Sequence, residues 1–200
     1  MLTALLPGEP GFTDVPAERA ARLALVAGGR LDRARLLASD PEFERRRQAW
    51  AAVPARLDGH GATAAAVVDE LMGLLESSVT PIRERQEAEA VALEERNARA
   101  VAINGKVGRR ATGKSGTKEL EDRHKRELRR QRTDELRAGL ASLAGAYRDR
   151  AIQGGPGVKT AVAAVDVIQA TASTLEFNPG ELLLLQALLV RLGRLPITTN

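Results

Sequence analysis

Residues 108–115 read GRRATGKS: Gly108, four residues, then Gly113, Lys114 and Ser115. That spacing is G-x-x-x-x-G-K-[ST]. In such loops the glycines let backbone N–H groups cradle phosphates while the lysine reaches the outer ones. The loop works only in a fixed setting: a buried β-strand leads into it, and a helix whose first N–H groups point at the anion follows. Here the preceding residues, LEERNARAVAINGKV, read as a polar helix that frays. A second motif, four apolar residues ending in Asp to hold magnesium, is not read elsewhere in the chain. The segment 105–116 holds four glycines, so a match within it is unremarkable. GRRATGKS is therefore read as a basic turn, and no cofactor is expected there. Arg109, Arg110, Lys114 and Lys118 remain candidates for contact with a phosphate backbone.

Composition narrows the other chemistries. The chain has 200 residues, 44% of them hydrophobic but only 2% aromatic. A core of Ala, Leu and Val favours helices over sheets. With no Cys there is no disulfide framework, thiolate metal site or cysteine nucleophile. With two histidines, His60 and His124, no His-based metal site is expected. No apolar run approaches the ~20 residues of a membrane span. MLTALLPGEPG lacks the basic flank of a signal peptide. A soluble cytoplasmic protein is the expectation. Ser, His and Asp show no arrangement that suggests a nucleophile, and most carboxylates alternate with Arg at helical spacing, as surface ion pairs do.

Charge is concentrated. The net charge is +4, yet residues 105–135 alone hold eleven basic and six acidic side chains. A basic stretch of this kind is either a solvated helix face or a footprint for nucleic acid. Binding through 105–132 would be unspecific contact with the backbone, because no aromatic reader stands beside the arginines.

The elements that must position these residues read as helices throughout. Pro16 opens a helix to about Ala27, stopped by Gly28 and Gly29. A second covers Leu31–Ala38. Ser39-Asp40-Pro41-Glu42 supplies a cap, a Pro and an acidic first turn for a third. That helix carries Phe43 and Trp50, seven apart, as core anchors and ends near Pro54. Residues 62–103 are helical, with Val67, Val68, Leu71, Leu74 and Leu75 as a stripe and a kink or restart at Thr80-Pro81. Thr117 caps a long helix to about Ile152, whose second half has Leu136, Leu140, Leu143 and Tyr147 as a seam. Its first half has only Leu120 and Leu128, so about 81–135 reads as a charged helical hairpin projecting from a core. Gly154-Gly155-Pro156-Gly157 breaks the chain before a helix over 158–175. Asn178-Pro179 opens the last helix, with Leu182, Leu185, Leu189 and Leu192 on its buried face. Leu184 and Leu188 lie off that line; at least one is expected to be exposed, as a candidate subunit interface. The fold class is all-α, with about six or seven helices and no sheet.

Three stretches carry a resemblance: GGRLDRARLLASDPEFERRR (Gly28–Arg47), ELEDRHKRELRRQRTDELRAGLASLAGAYRD (Glu119–Asp149) and LEFNPGELLLLQALLVRL (Leu175–Leu192). From about Pro16 to Leu195 the chain resembles the C-terminal half of the delta-prime subunit of the bacterial DNA polymerase III clamp loader, in the form found in GC-rich bacteria. The resemblance implies residues 1–40 as the remnant of an AAA+ helical lid and 41–200 as a helical collar domain. The family's nucleotide-binding domain would precede Met1. Active AAA+ lids place an arginine on the γ-phosphate; Asp32 stands roughly at that position, with Arg33 next and Arg35 beyond, both read as solvent-exposed. The implied role is structural: a non-catalytic subunit of the polymerase III holoenzyme that packs against its sister subunits and helps load the sliding clamp in DNA replication. The alternative is a stand-alone helical protein that binds nucleic acid through 105–132.

Overall fold

The computed structural model of the chain describes residues 16–27, 31–40, 42–104 and 112–195. These residues form eight α-helices and one 3-10 turn, with no strand among them. Helix α1 is Ala17–Ala27, α2 Leu31–Ser39, α3 Phe43–Arg56 and α4 Gly61–Ser77. Helix α5 is Thr80–Asn104, α6 Thr112–Gln153 and α7 Val158–Thr174; the turn Leu175–Phe177 leads to α8, Glu181–Gly193. The all-α expectation holds. One helix more than expected arises at Thr80, where the chain restarts instead of kinking. Ser77 and Ser78 donate their hydroxyls to the carbonyls of Leu74 and Leu75, 2.8 and 2.7 Å away, at the end of α4.

Helix α6 is the spine. Its 42 residues extend about 63 Å at the usual rise. The seam Leu136, Leu140, Leu143 and Tyr147 is buried, as the 4-3-4 spacing predicts. Gly154 and Gly155 take φ of 79° and 94°, which lets the chain reverse so that α7 packs back along α6. Helix α3 packs on α6 as well, and α4 packs on α8. At Gly139 the contact between α3 and α6 is so close that an added Cβ would lie 2.2 Å from Trp50 Cε2.

Two cores result. The larger joins Trp50 and Val53 of α3 to Val67, Val68, Leu71 and Leu75 of α4, the α6 seam, Ile168 of α7 and Leu185 and Leu189 of α8. The smaller gathers Ala20, Leu23, Ala24 and Ala27 of α1, Ala34 and Leu37 of α2, and Phe43. Phe43 and Trp50 are both buried anchors, but they serve different cores.

Several boundaries shift for local reasons. Helix α3 begins at Phe43, and the Asp40 side chain accepts the Glu42 N–H at 2.9 Å. It continues through a buried Pro54 to Arg56; a Pro so near the end forfeits a single backbone bond. Asn178 does not cap α8. It closes the preceding turn in the left-handed region (φ 54°, ψ 54°), which Asn tolerates, and α8 starts at Glu181. Leu182, expected on the buried face, is 45% exposed.

Candidate functional site

Asp40, between α2 and α3, the α3 residue Arg46 and the α6 residue Glu135 form a latch beside the small core. Arg46 is 2% exposed and Glu135 5%. Arg46 Nε donates to Glu135 Oε1 at 2.7 Å, and its Nη atoms donate to the Asp40 carboxylate, one of them at 3.4 Å. Burial would lower the Arg46 pKa, but the bonds to Asp40 and the field of Glu135 hold it above its ordinary value.

The hairpin of α5 and α6 is joined by a polar ladder. Arg85 and Gln86 of α5 donate to Glu127 of α6 at 2.5 and 2.9 Å, and Gln86 also reaches the His124 carbonyl at 3.3 Å. Glu89 accepts from Arg123 at 2.5 Å and faces His124 Nε2 at 3.0 Å. Lower down, Arg132 ties three helices together. It donates to Glu76 of α4 at 2.5 Å and to Glu181 of α8 at 2.5–3.1 Å, and Arg83 adds a second donor to Glu76.

These contacts decide what the carboxylates can do. Glu76 is held below the usual range by its bonds from Arg83 and Arg132. Glu89 is lowered first by the His124 bond, then by Arg123. Burial pushes the Glu127 carboxyl up, but the bonds from Arg85 and Gln86 more than offset it. Asp58 is lowered by the His60 N–H and the Thr63 hydroxyl, which it accepts at 2.9 and 2.8 Å at the start of α4. Every displaced carboxyl among the described residues moves down, away from a general acid poised near neutrality. A hollow of about 410 Å³ between Leu57, Tyr147 and Leu192 has only Asp58, Tyr147 and Arg150 as titratable groups. Burial raises the Tyr147 phenol, so it stays neutral there.

Two surfaces stand apart from this network. Around the α7–α8 connection, Phe177 is 84%, Leu183 71% and Leu182 45% exposed. On α6, Arg126, Arg129, Arg130 and Arg137 line one shallow concavity of about 420 Å³, with Thr133 and Asp134.

The residues singled out from sequence fall as follows. Gly108, Arg109 and Arg110 lie outside the described residues. Gly113, Lys114 and Ser115 have helical backbone in the first turn of α6, and Lys118 is exposed. The segment that leads towards them is the 25-residue helix α5, where the phosphate loop requires a strand. The letters VAAVD at 162–166 do match the second motif, contrary to the sequence reading; they lie on helix α7, with Asp166 exposed. Asp32 and Arg33 are on α2, and Arg35 is exposed. Leu188 is 2% exposed and belongs to the large core, and Leu184 is half-buried against it. Neither is the open leucine of α8; Leu182 and Leu183 are. Leu120 and Leu128 are half-buried.

Among the described residues no three His, Asp or Glu side chains are grouped to hold a metal ion, and no helix is long and apolar enough to cross a membrane. No family model, curated protein or solved structure matches the chain.

Proposed function

We propose that the chain is a non-catalytic assembly module: the lid remnant and collar of a clamp-loader subunit, acting in the cytoplasm to hold sister subunits together while the sliding clamp is placed on DNA. The resemblance of Gly28–Arg47, Glu119–Asp149 and Leu175–Leu192 supplies the family. The observation that carries an assembly role is the wet apolar stretch Phe177, Leu182 and Leu183, next to the buried Leu185. Large apolar side chains clustered in the open favour a covering partner, and an aromatic among them suits the centre of an interface. The depressed carboxylates support the same reading, because they are spent on holding helices together.

The test is co-elution of the purified chain with the remaining clamp-loader subunits in size-exclusion chromatography. The wild type is expected to enter the complex. Leu183→Glu and Phe177→Ser should keep the helical circular dichroism signal yet weaken assembly roughly tenfold or more, the loss expected at an interface hot spot. A wild-type chain that never co-elutes sinks the family reading. Folded variants that assemble as well as the wild type remove this surface from it.

A further inference from the structure

The arginine face of α6 is built by segregation. In residues 123–137 the acidic side chains that pair with other helices point away from it: Glu127 to Arg85 and Gln86, Glu135 to Arg46. Arg126, Arg129 and Arg130 are exposed and have no acidic partner among the described residues. Arg137, also exposed, faces Asp134 at 3.9 Å, the one carboxylate that lines the same concavity. Positions 126, 130, 133 and 137 fall on one helical line, with 129 beside it. From Arg126 to Arg137 the line extends about 16 Å, a length of duplex axis over which each strand carries roughly five phosphates.

We propose that this face binds the phosphate backbone of double-stranded nucleic acid, without regard to sequence. Charge complementarity identifies a polyanion. A rigid helical row suits a stiff, regular array of phosphates, and a guanidinium can take two phosphate oxygens at once. The single-strand alternative lacks its usual platform among the described residues: Phe43, Trp50 and Tyr147 are buried, and the exposed aromatic there, Phe177, lies on the turn before α8. A membrane surface would call for apolar residues flanking the arginines, and the row is flanked by Lys125 on one side and Asp134 on the other. This inference does not depend on the clamp-loader reading, because it rests on the charge geometry of one helix.

The experiment is fluorescence anisotropy of the full chain with a labelled mixed-sequence DNA duplex, across a salt series. Parallel arms use a single strand of the same length and vesicles containing anionic lipid. The variant replaces Arg126, Arg129 and Arg130 with Gln; Lys159→Gln, at an exposed position of α7, is the control. The wild type should bind duplex with a steep salt dependence. The triple variant, with an unchanged circular dichroism spectrum, should bind roughly tenfold or more weakly, and its log–log salt slope should fall by about 2.7, or 0.9 per phosphate contact. The control should match the wild type. No duplex binding at low salt, an undiminished triple variant, or stronger binding to the single strand or the vesicles overturns the proposal.

Discussion

The Arg46 guanidinium and the Glu135 carboxylate meet at 2.7 Å across 89 residues of chain, both of them buried. Such a pair is weak evidence for stability as a whole but very sensitive to losing one half, because the survivor is stranded in a low dielectric. Arg46→Leu should therefore destabilise the fold by about 3–5 kcal/mol. Adding Glu135→Leu should recover part of that loss. Urea unfolding of the two singles and the double closes the cycle; a double variant worse than Arg46→Leu would show that Glu135 is not the stranded charge.

Gly139 has no room for a methyl group. With Trp50 Cε2 at 2.2 Å and Cδ2 at 2.6 Å from an added Cβ, the buried Trp50 ring or one of the two packed helices must move. Gly139→Ala, which raises intrinsic helix propensity, should nevertheless destabilise by about 1–3 kcal/mol and red-shift the Trp50 fluorescence. Gly145, also on α6 and with nothing within 4 Å of an added Cβ, is the comparison: Gly145→Ala should be neutral or stabilising.

The long spine should unfold unevenly in its response to truncation. Leu140 is 1% exposed in the large core, and Leu140→Ala should cost about 2–5 kcal/mol. Leu128 is half-buried in the hairpin, and the same change there should fall well below that range. Equal losses in thermal melts would mean that the hairpin carries as much packing as the core.

Acid should weaken the molecule. Glu76, Glu89, Glu127 and Asp58 titrate below their ordinary values in the folded chain. Unfolded, they titrate near about 4. Between those values the unfolded chain binds protons that the folded chain refuses, so stability is full above about pH 5 and falls as pH drops through the folded pKa values. Urea midpoints should be similar at pH 7 and 5 and lower at pH 3.5, and Glu76→Gln should make that decrease shallower. A midpoint that rises towards pH 3.5 would contradict the ion-pair ties among α4, α6 and α8.

Helices and the α6 seam were legible because periodicity reports burial directly: Leu136, Leu140, Leu143 and Tyr147 repeat at 4-3-4 and are buried. Arg46 was not legible. It sits in an Arg-Arg-Arg run, and nothing local distinguishes the one that meets an acid 89 residues away. The α8 error has a geometric source. With its start moved to Glu181, Leu182 and Leu183 fall in the first turn, and only from Leu185 onward is the stripe buried. The arginine face was half legible. The spacing of 126, 130 and 137 marks one side of a helix, but only the ion pairs of Glu127 and Glu135 show that the acids leave that side.

Helix α3 places Phe43 in one core and Trp50 in the other, seven residues apart on a single rod. The same two turns of helix thus border both apolar clusters. The 11- and 9-residue helices of the small core are too short to persist alone. Their persistence therefore depends on Phe43, the α3 side chain that the small core shares with the rod whose other end holds Trp50 against Gly139.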